Sequence, residues 1–156
     1  MIKKSNRRIV REKCMQVLYA YQMSGENLTK IINTMLIEIN NINDKEFGER
    51  LINLVVANAN ELDENIKERV SNWELDRIAV LDKILIKMGM VEILYFEDIP
   101  PKVTINEVID MAKEYSTANS GKFLNGILDS LLSTLKKEGK LNKTGRGLID
   151  SNITIE

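Results

Sequence analysis

Apolar residues recur at helical spacing along most of this chain, and very little interrupts them. Leu28, Ile31, Ile32, Met35, Leu36, Ile39 and Ile42 follow the i, i+3, i+4, i+7 rhythm that lines up one face of a helix. The same rhythm runs through Val10, Cys14, Val17, Leu18 and Tyr21, and again through Ile78, Leu81, Ile84, Leu85, Met88, Val91 and Leu94. A last stripe holds Phe123, Leu124, Ile127, Leu128, Leu131 and Leu135. The chain's two prolines, Pro100 and Pro101, are adjacent, and its eight glycines are scattered. Sparse punctuation of this kind favours long helices over many short strands. Such stripes are buried by packing helix on helix. The predicted fold class is therefore all-α, with about seven helices.

Local signals set the expected boundaries. Ser5 or Asn6 opens a first helix that Gly25 closes. The second helix runs from Leu28 through Ile42, and Asp44 caps the third, which carries Phe47, Leu51, Leu54 and Val55 inward. Asp63 caps a short fourth helix, and the turns between Asp63 and Trp73 divide two helical subdomains. Pro100-Pro101 stops the fifth helix, because neither residue donates a backbone N–H. Thr104 to Glu107 reads as a capping box for the sixth, and Ser120 opens the seventh. Two segments follow in outline: a helical domain over 1–137, and a flexible tail over 138–156, where periodicity is lost.

Composition removes several function classes. With no histidine in the chain, His general bases, Ser–His or Cys–His pairs and His-containing zinc sites are excluded. A single cysteine, Cys14, forms no intrachain disulfide and suits a reducing cytoplasm. No phosphate-cradling loop and no dinucleotide or methyl-donor turn occurs. Neither a membrane span nor a signal peptide is indicated, and the carboxylates read as surface charge. The expectation is a protein without catalytic residues, metal or cofactor.

Charge is asymmetric. Residues 1–13 carry six of the 22 basic side chains (Lys3, Lys4, Arg7, Arg8, Arg11 and Lys13) and one of the 23 acidic ones, Glu12. The remainder is net acidic. On a helix, Lys4, Arg7, Arg8 and Arg11 fall within an arc of roughly 100°. Tyr19 lies near the same side. Cations at a helix N-terminus oppose the macrodipole, at a cost of about 0.3–1 kcal/mol each. Docked phosphates would reverse that penalty. Two readings fit the cluster: an anion-binding face, or a solvated basic arm. Asn119-Ser120-Gly121-Lys122-Phe123 places a cation and an aromatic at a helix start. It reads either as a nucleic-acid contact or as a cap followed by a core residue.

The residues themselves resemble a known family. Arg7-Arg8-Ile9-Val10-Arg11-Glu12, leading into Gln16-Val17-Leu18-Tyr19-Ala20-Tyr21-Gln22, is similar to the first helix of the NusB family. Trp73 with Arg77-Ile78, then Leu81-Asp82-Lys83-Ile84-Leu85, agrees in order. So do Asp98-Ile99-Pro100-Pro101-Lys102-Val103-Thr104-Ile105-Asn106-Glu107 and Ser120-Gly121-Lys122-Phe123-Leu124-Asn125-Gly126-Ile127-Leu128-Asp129. The resemblance covers roughly residues 7–132.

The resemblance implies two packed helical bundles and a transcription antitermination factor. Such a factor binds boxA-type single-stranded RNA in nascent ribosomal transcripts together with a small-subunit ribosomal protein, NusE, and joins elongating RNA polymerase. It further implies RNA contacts from Arg7, Arg8, Arg11, Tyr19, Ser120, Lys122 and Phe123, with Lys3 and Lys4 adding attraction to the backbone. Asp82 is the position implied for the protein partner. Family members often carry an acid where Asn119 stands, so this chain is expected to hold RNA more readily without its partner. Two alternatives remain at this point: a protein-binding helical scaffold that does not touch RNA, and a module related to NusB-fused RNA methyltransferases.

Overall fold

A computed structural model of the chain describes residues 3–149. These form eight α-helices and one 3₁₀ turn, with no strand among the described residues. The chain divides into two compact units between Ala57 and Asn58. The break falls before the Asp63–Trp73 stretch where the turns suggested it.

The first unit contains α1 (Asn6–Ser24), α2 (Leu28–Met35) and α3 (Ile42–Ala57), with α1 packed on both others. The Ser5 hydroxyl oxygen accepts from the Arg8 N–H at 3.1 Å, and Gly25 closes α1 in the left-handed conformation (φ 67°). Helix α2 is shorter than its apolar stripe. It ends at Met35, and Leu36 is buried from the turn that follows. A new helix begins within the stripe, because the Asn41 side chain accepts from the Asp44 N–H at 3.0 Å and starts α3 at Ile42. Short amides compete with the helical backbone in this way. Ile37 and Ile42 are consequently exposed. Asp44 lies inside the first turn of α3 and is not its cap. A Cβ at Gly48 would meet Val10 Cγ1 at 2.9 Å, so glycine permits the close approach of α3 to α1.

The second unit is built around α6 (Val80–Tyr95). Sequence periodicity gave α6 one apolar face, but Ile86, Met90 and Ile93 are buried along with Ile84, Leu85, Met88 and Val91. A helix covered on nearly all sides belongs to a core. Its cover includes α7 (Pro101–Tyr115), α8 (Ala118–Glu138) and α4 (Ala59–Lys67). Leu85, Ile86 and Met90 are fully buried and contribute on the order of 1.5–3 kcal/mol each. At Gly89 a Cβ would meet Leu128 Cδ1 at 2.9 Å, which brings α8 against α6.

Boundaries in the second unit differ from expectation as well. Asp63 lies in the middle of α4, paired with Lys87 at 2.9 Å, and a further helix, α5 (Asn72–Arg77), holds Trp73. A reciprocal capping box between Ser71 and Glu74 starts α5. Helix α7 begins at Pro101, where a missing N–H costs nothing. Thr104 is therefore a buried residue within α7, and its hydroxyl donates to Glu92 Oε1 at 2.9 Å.

The segment after α8 makes specific contacts over its described part. Gly139 closes α8 with φ 66°, and the following segment lies along the end of α6. Lys143 is buried, and its ammonium donates to the carbonyl oxygens of Glu92 (3.0 Å) and Phe96 (2.6 Å). The Thr144 N–H reaches the Glu97 carbonyl at 3.0 Å, and the 3₁₀ turn Gly145–Leu148 follows. Gly147 packs so closely on Glu97 that any side chain would collide with its carbonyl oxygen. Residues 150–156 of the predicted tail lie outside the described residues. Replacing Lys143 with alanine should lower stability by about 1–3 kcal/mol, because the terminal carbonyls of α6 lose a charged donor. Urea unfolding checks this, and an unchanged midpoint would show that the segment adds nothing.

Candidate nucleic-acid interface

Two clusters carry the candidate contacts, one in each unit. In the first unit, α1 opens with Arg7, Arg8 and Arg11, and no acid stands in its first turn. These arginines do not form one solvated face. Arg7 Nε donates to Asp44 Oδ1 at 3.0 Å, and its guanidinium lies 4.3 Å from the centroid of the Phe47 ring. Arg11 is only 4% exposed, with its guanidinium 5.2 Å from the same centroid. Phe47 is thus a buried aromatic platform for two cations, an arrangement worth about 0.5–2 kcal/mol per pair depending on desolvation.

Lys4 is partly buried and pairs at 2.8 Å with Glu12, whose carboxylate is itself nearly buried. Arg8 is half-buried and Lys3 exposed. Tyr19 is 43% exposed, so its ring is accessible at the surface. Ile9, between the arginines, is exposed as well.

In the second unit, the first turn of α8 is organised by Thr117. Its hydroxyl oxygen accepts from the Ser120 N–H at 3.1 Å, so Thr117, not Ser120, is the cap. Ser120 is buried, and its hydroxyl donates to Asp82 Oδ2 at 2.7 Å. Asn119 and Lys122 are exposed and Phe123 is half-buried. Asp82 is 7% exposed, and its other oxygen, Oδ1, is buried without a hydrogen-bond partner. Asp82 and Phe123 share the walls of a concave pocket of about 190 Å³ with Trp73, Glu74, Arg77 and Ile78. Trp73 is 65% exposed, with the Arg77 guanidinium 4.2 Å from its ring centroid.

No group of acidic or cysteine side chains able to hold a metal ion is found among the described residues, and no described helix is long and apolar enough to cross a membrane. Both clusters instead combine exposed cations with accessible aromatic rings. That chemistry suits phosphate attraction and base stacking.

A model of the NusB family matches residues 8–133 of this chain. The chain belongs to the NusB family. It is 45% identical over 147 residues to the transcription antitermination protein NusB of Chloroherpeton thalassium, covering 93% of this chain and 70% of that protein. It is 40% identical over 155 residues to that of Salinibacter ruber, covering 97% and 96%. The solved structure of T. maritima NusB superposes with a TM-score of 0.76 at 34% identity, covering 85% of this chain and 93% of that one. A crystal structure of antitermination factors NusB and NusE in complex with dsRNA gives a TM-score of 0.74 at 24% identity, covering 83% and 97%, and shares the fold. Both of these curated relatives are named transcription antitermination proteins, and neither is named as an enzyme.

Against this family background, Lys3, Tyr19, Asn119 and Lys122 sit at the surface as expected, with Arg7, Arg8 and Phe123 partly so. Arg11 and Ser120 do not: one is packed over Phe47, the other bonded to Asp82. The sequence reading missed Phe47, Asp44 and Thr117, along with the ring of Trp73 beside Arg77. The Ser/Thr run before α8 was the one local signal available for Thr117. Arg11→Ala should destabilise the protein by about 1–3 kcal/mol, through lost packing on Phe47 and a disturbed neighbourhood of buried charge. Arg8→Ala should stay within about 0.5 kcal/mol of wild type. Equal effects in urea unfolding would contradict this division of the cluster.

Proposed function

We propose that this NusB-family chain is a transcription antitermination factor that binds boxA-type single-stranded RNA in nascent ribosomal transcripts. It does so together with the ribosomal protein NusE, as part of the antitermination complex on elongating RNA polymerase in the cytoplasm. The observation that carries this reading is the start of α1: three arginines and no acid, on a chain whose remainder is net acidic. The fold it shares with a NusB that was solved with NusE and dsRNA supports an RNA-binding role beside NusE.

In this proposal the contacts are divided by exposure. Lys3, Lys4, Arg7, Arg8 and Lys122 attract the phosphates, while Tyr19 and Phe123 offer rings for stacking, and Asn119 adds an uncharged polar contact. Arg11 holds the α1 surface in place from beneath by its contact with Phe47. Ser120 acts from within α8, and Asp82 faces the protein partner. Phosphates position the strand, whereas stacking and base-edge hydrogen bonds select it.

Fluorescence anisotropy with a labelled boxA-type RNA and a scrambled control tests the reading. The boxA strand should bind preferentially, and NusE should strengthen the binding. With roughly four phosphates neutralised, log K should fall against log salt with a slope of about −3. Lys122→Ala should weaken binding and flatten that slope by about 0.7. Asn119→Asp should also weaken binding, since it places a like charge beside phosphate. Equal, weak binding of both strands with no effect of NusE would favour a helical scaffold that does not recognise RNA.

A further inference from the structure

The guanidinium of Arg7 is held at one edge and over one face, and its outer edge is open. Nε donates to Asp44 Oδ1 at 3.0 Å, and the central carbon lies 4.3 Å from the centroid of the Phe47 ring. Neither terminal nitrogen, Nη1 or Nη2, has a hydrogen-bond partner among the described residues, and the side chain is 39% exposed. Two other cations of the cluster are placed differently: Lys4 is paired with Glu12 at 2.8 Å, and Arg11 is buried.

Both restraints come from one turn of α3. Asp44 and Phe47 are three residues apart, a spacing that puts them on the same side of a helix. Asn41 fixes that turn by accepting from the Asp44 N–H at 3.0 Å. Phe47 is buried and the Asp44 side chain largely so, which leaves neither much room to move.

A carboxylate at this position has two opposed effects on an incoming phosphate. Its charge repels the phosphate, an effect that salt screens at an exposed edge. It also removes rotamer freedom from a long side chain in advance, so that less is lost when the phosphate binds. Because Asp44 takes Nε, the Nη1–Nη2 edge keeps the fork geometry that matches two phosphate oxygens. Resting on the RNA-binding function proposed above, we infer that this edge of Arg7 is a pre-set bidentate seat for one RNA phosphate, with Asp44 and Phe47 as its positioning residues.

The sign of one effect separates this inference from an ordinary surface ion pair. If Asp44 is only an acidic neighbour, Asp44→Ala removes a negative charge beside RNA and tightens binding. If it positions Arg7, the same change weakens binding. The experiment measures affinity for labelled boxA-type and scrambled RNA by anisotropy, for wild type, Asp44→Ala, Arg7→Ala, Arg7→Lys and the double variant Arg7→Ala/Asp44→Ala, with circular dichroism confirming that each folds. Arg7→Ala should weaken binding about tenfold and flatten the salt slope by about 0.7. Arg7→Lys should recover little of that loss, because an ammonium offers no fork. Asp44→Ala should weaken binding about threefold in the wild-type background and not at all in the Arg7→Ala background. Tighter or unchanged binding in Asp44→Ala overturns the inference, as does an equal loss in both backgrounds, which would place the effect in α3 and not in Arg7. Wild-type affinity in Arg7→Lys overturns the bidentate seat. Equal binding of both RNAs by wild type counts against the boxA reading alone: phosphate contacts carry no sequence information, so an Arg7-dependent loss in Asp44→Ala on both strands still supports the seat.

Discussion

A helix buried on nearly all sides cannot leave its polar groups to solvent, and α6 imposes that constraint on everything around it. Its carboxylates and terminal carbonyls need donors from the elements that cover it. Thr104 of α7 supplies one to Glu92, Ser120 of α8 supplies one to Asp82, and Lys143 reaches the carbonyls of Glu92 and Phe96. Each covering segment is therefore fixed on α6 by a polar contact as well as by apolar packing. Without such partners the buried groups would each cost about 1–3 kcal/mol. Asp82 Oδ1 is the exception: it is buried with no hydrogen-bond partner, on a residue that lines the pocket.

The same constraint explains what the sequence revealed and what it concealed. Helix ends governed by neighbouring residues were legible, as Ser5 and Gly25 around α1 show. Ends decided by competition were not. The stripe from Leu28 to Ile42 promised one helix, yet the side chain of Asn41 starts a new one. Thr104 and Glu107 have capping-box spacing, but Pro101 had already started α7 and Glu92 required the threonine hydroxyl. Lys143 looked like one more charge in a glycine-rich tail because its partners are carbonyls far away in sequence.

The candidate site shows the same limit. Clustering of basic residues on α1 is a property of spacing alone, and it was visible. How the arginines divide their work depends on Phe47 and Asp44 of α3, which no local pattern connects to α1. One guanidinium is committed to packing and another is shared between an ion pair and the surface. This also offsets part of the unfavourable dipole at the start of α1, because Arg7 has a carboxylate close by. The basic arm is thus a built surface, held from below by an aromatic ring.

Cross-linking of a thiouridine-substituted boxA-type RNA, followed by mass spectrometry of the linked peptides, tests most directly whether this surface carries the function. The account predicts links in two places: the α1 peptides containing Arg8 and Tyr19, and the α8 peptide containing Lys122 and Phe123. Links concentrated at the exposed Ile37–Ile42 turn, or spread over the surface without reference to the RNA sequence, would contradict it.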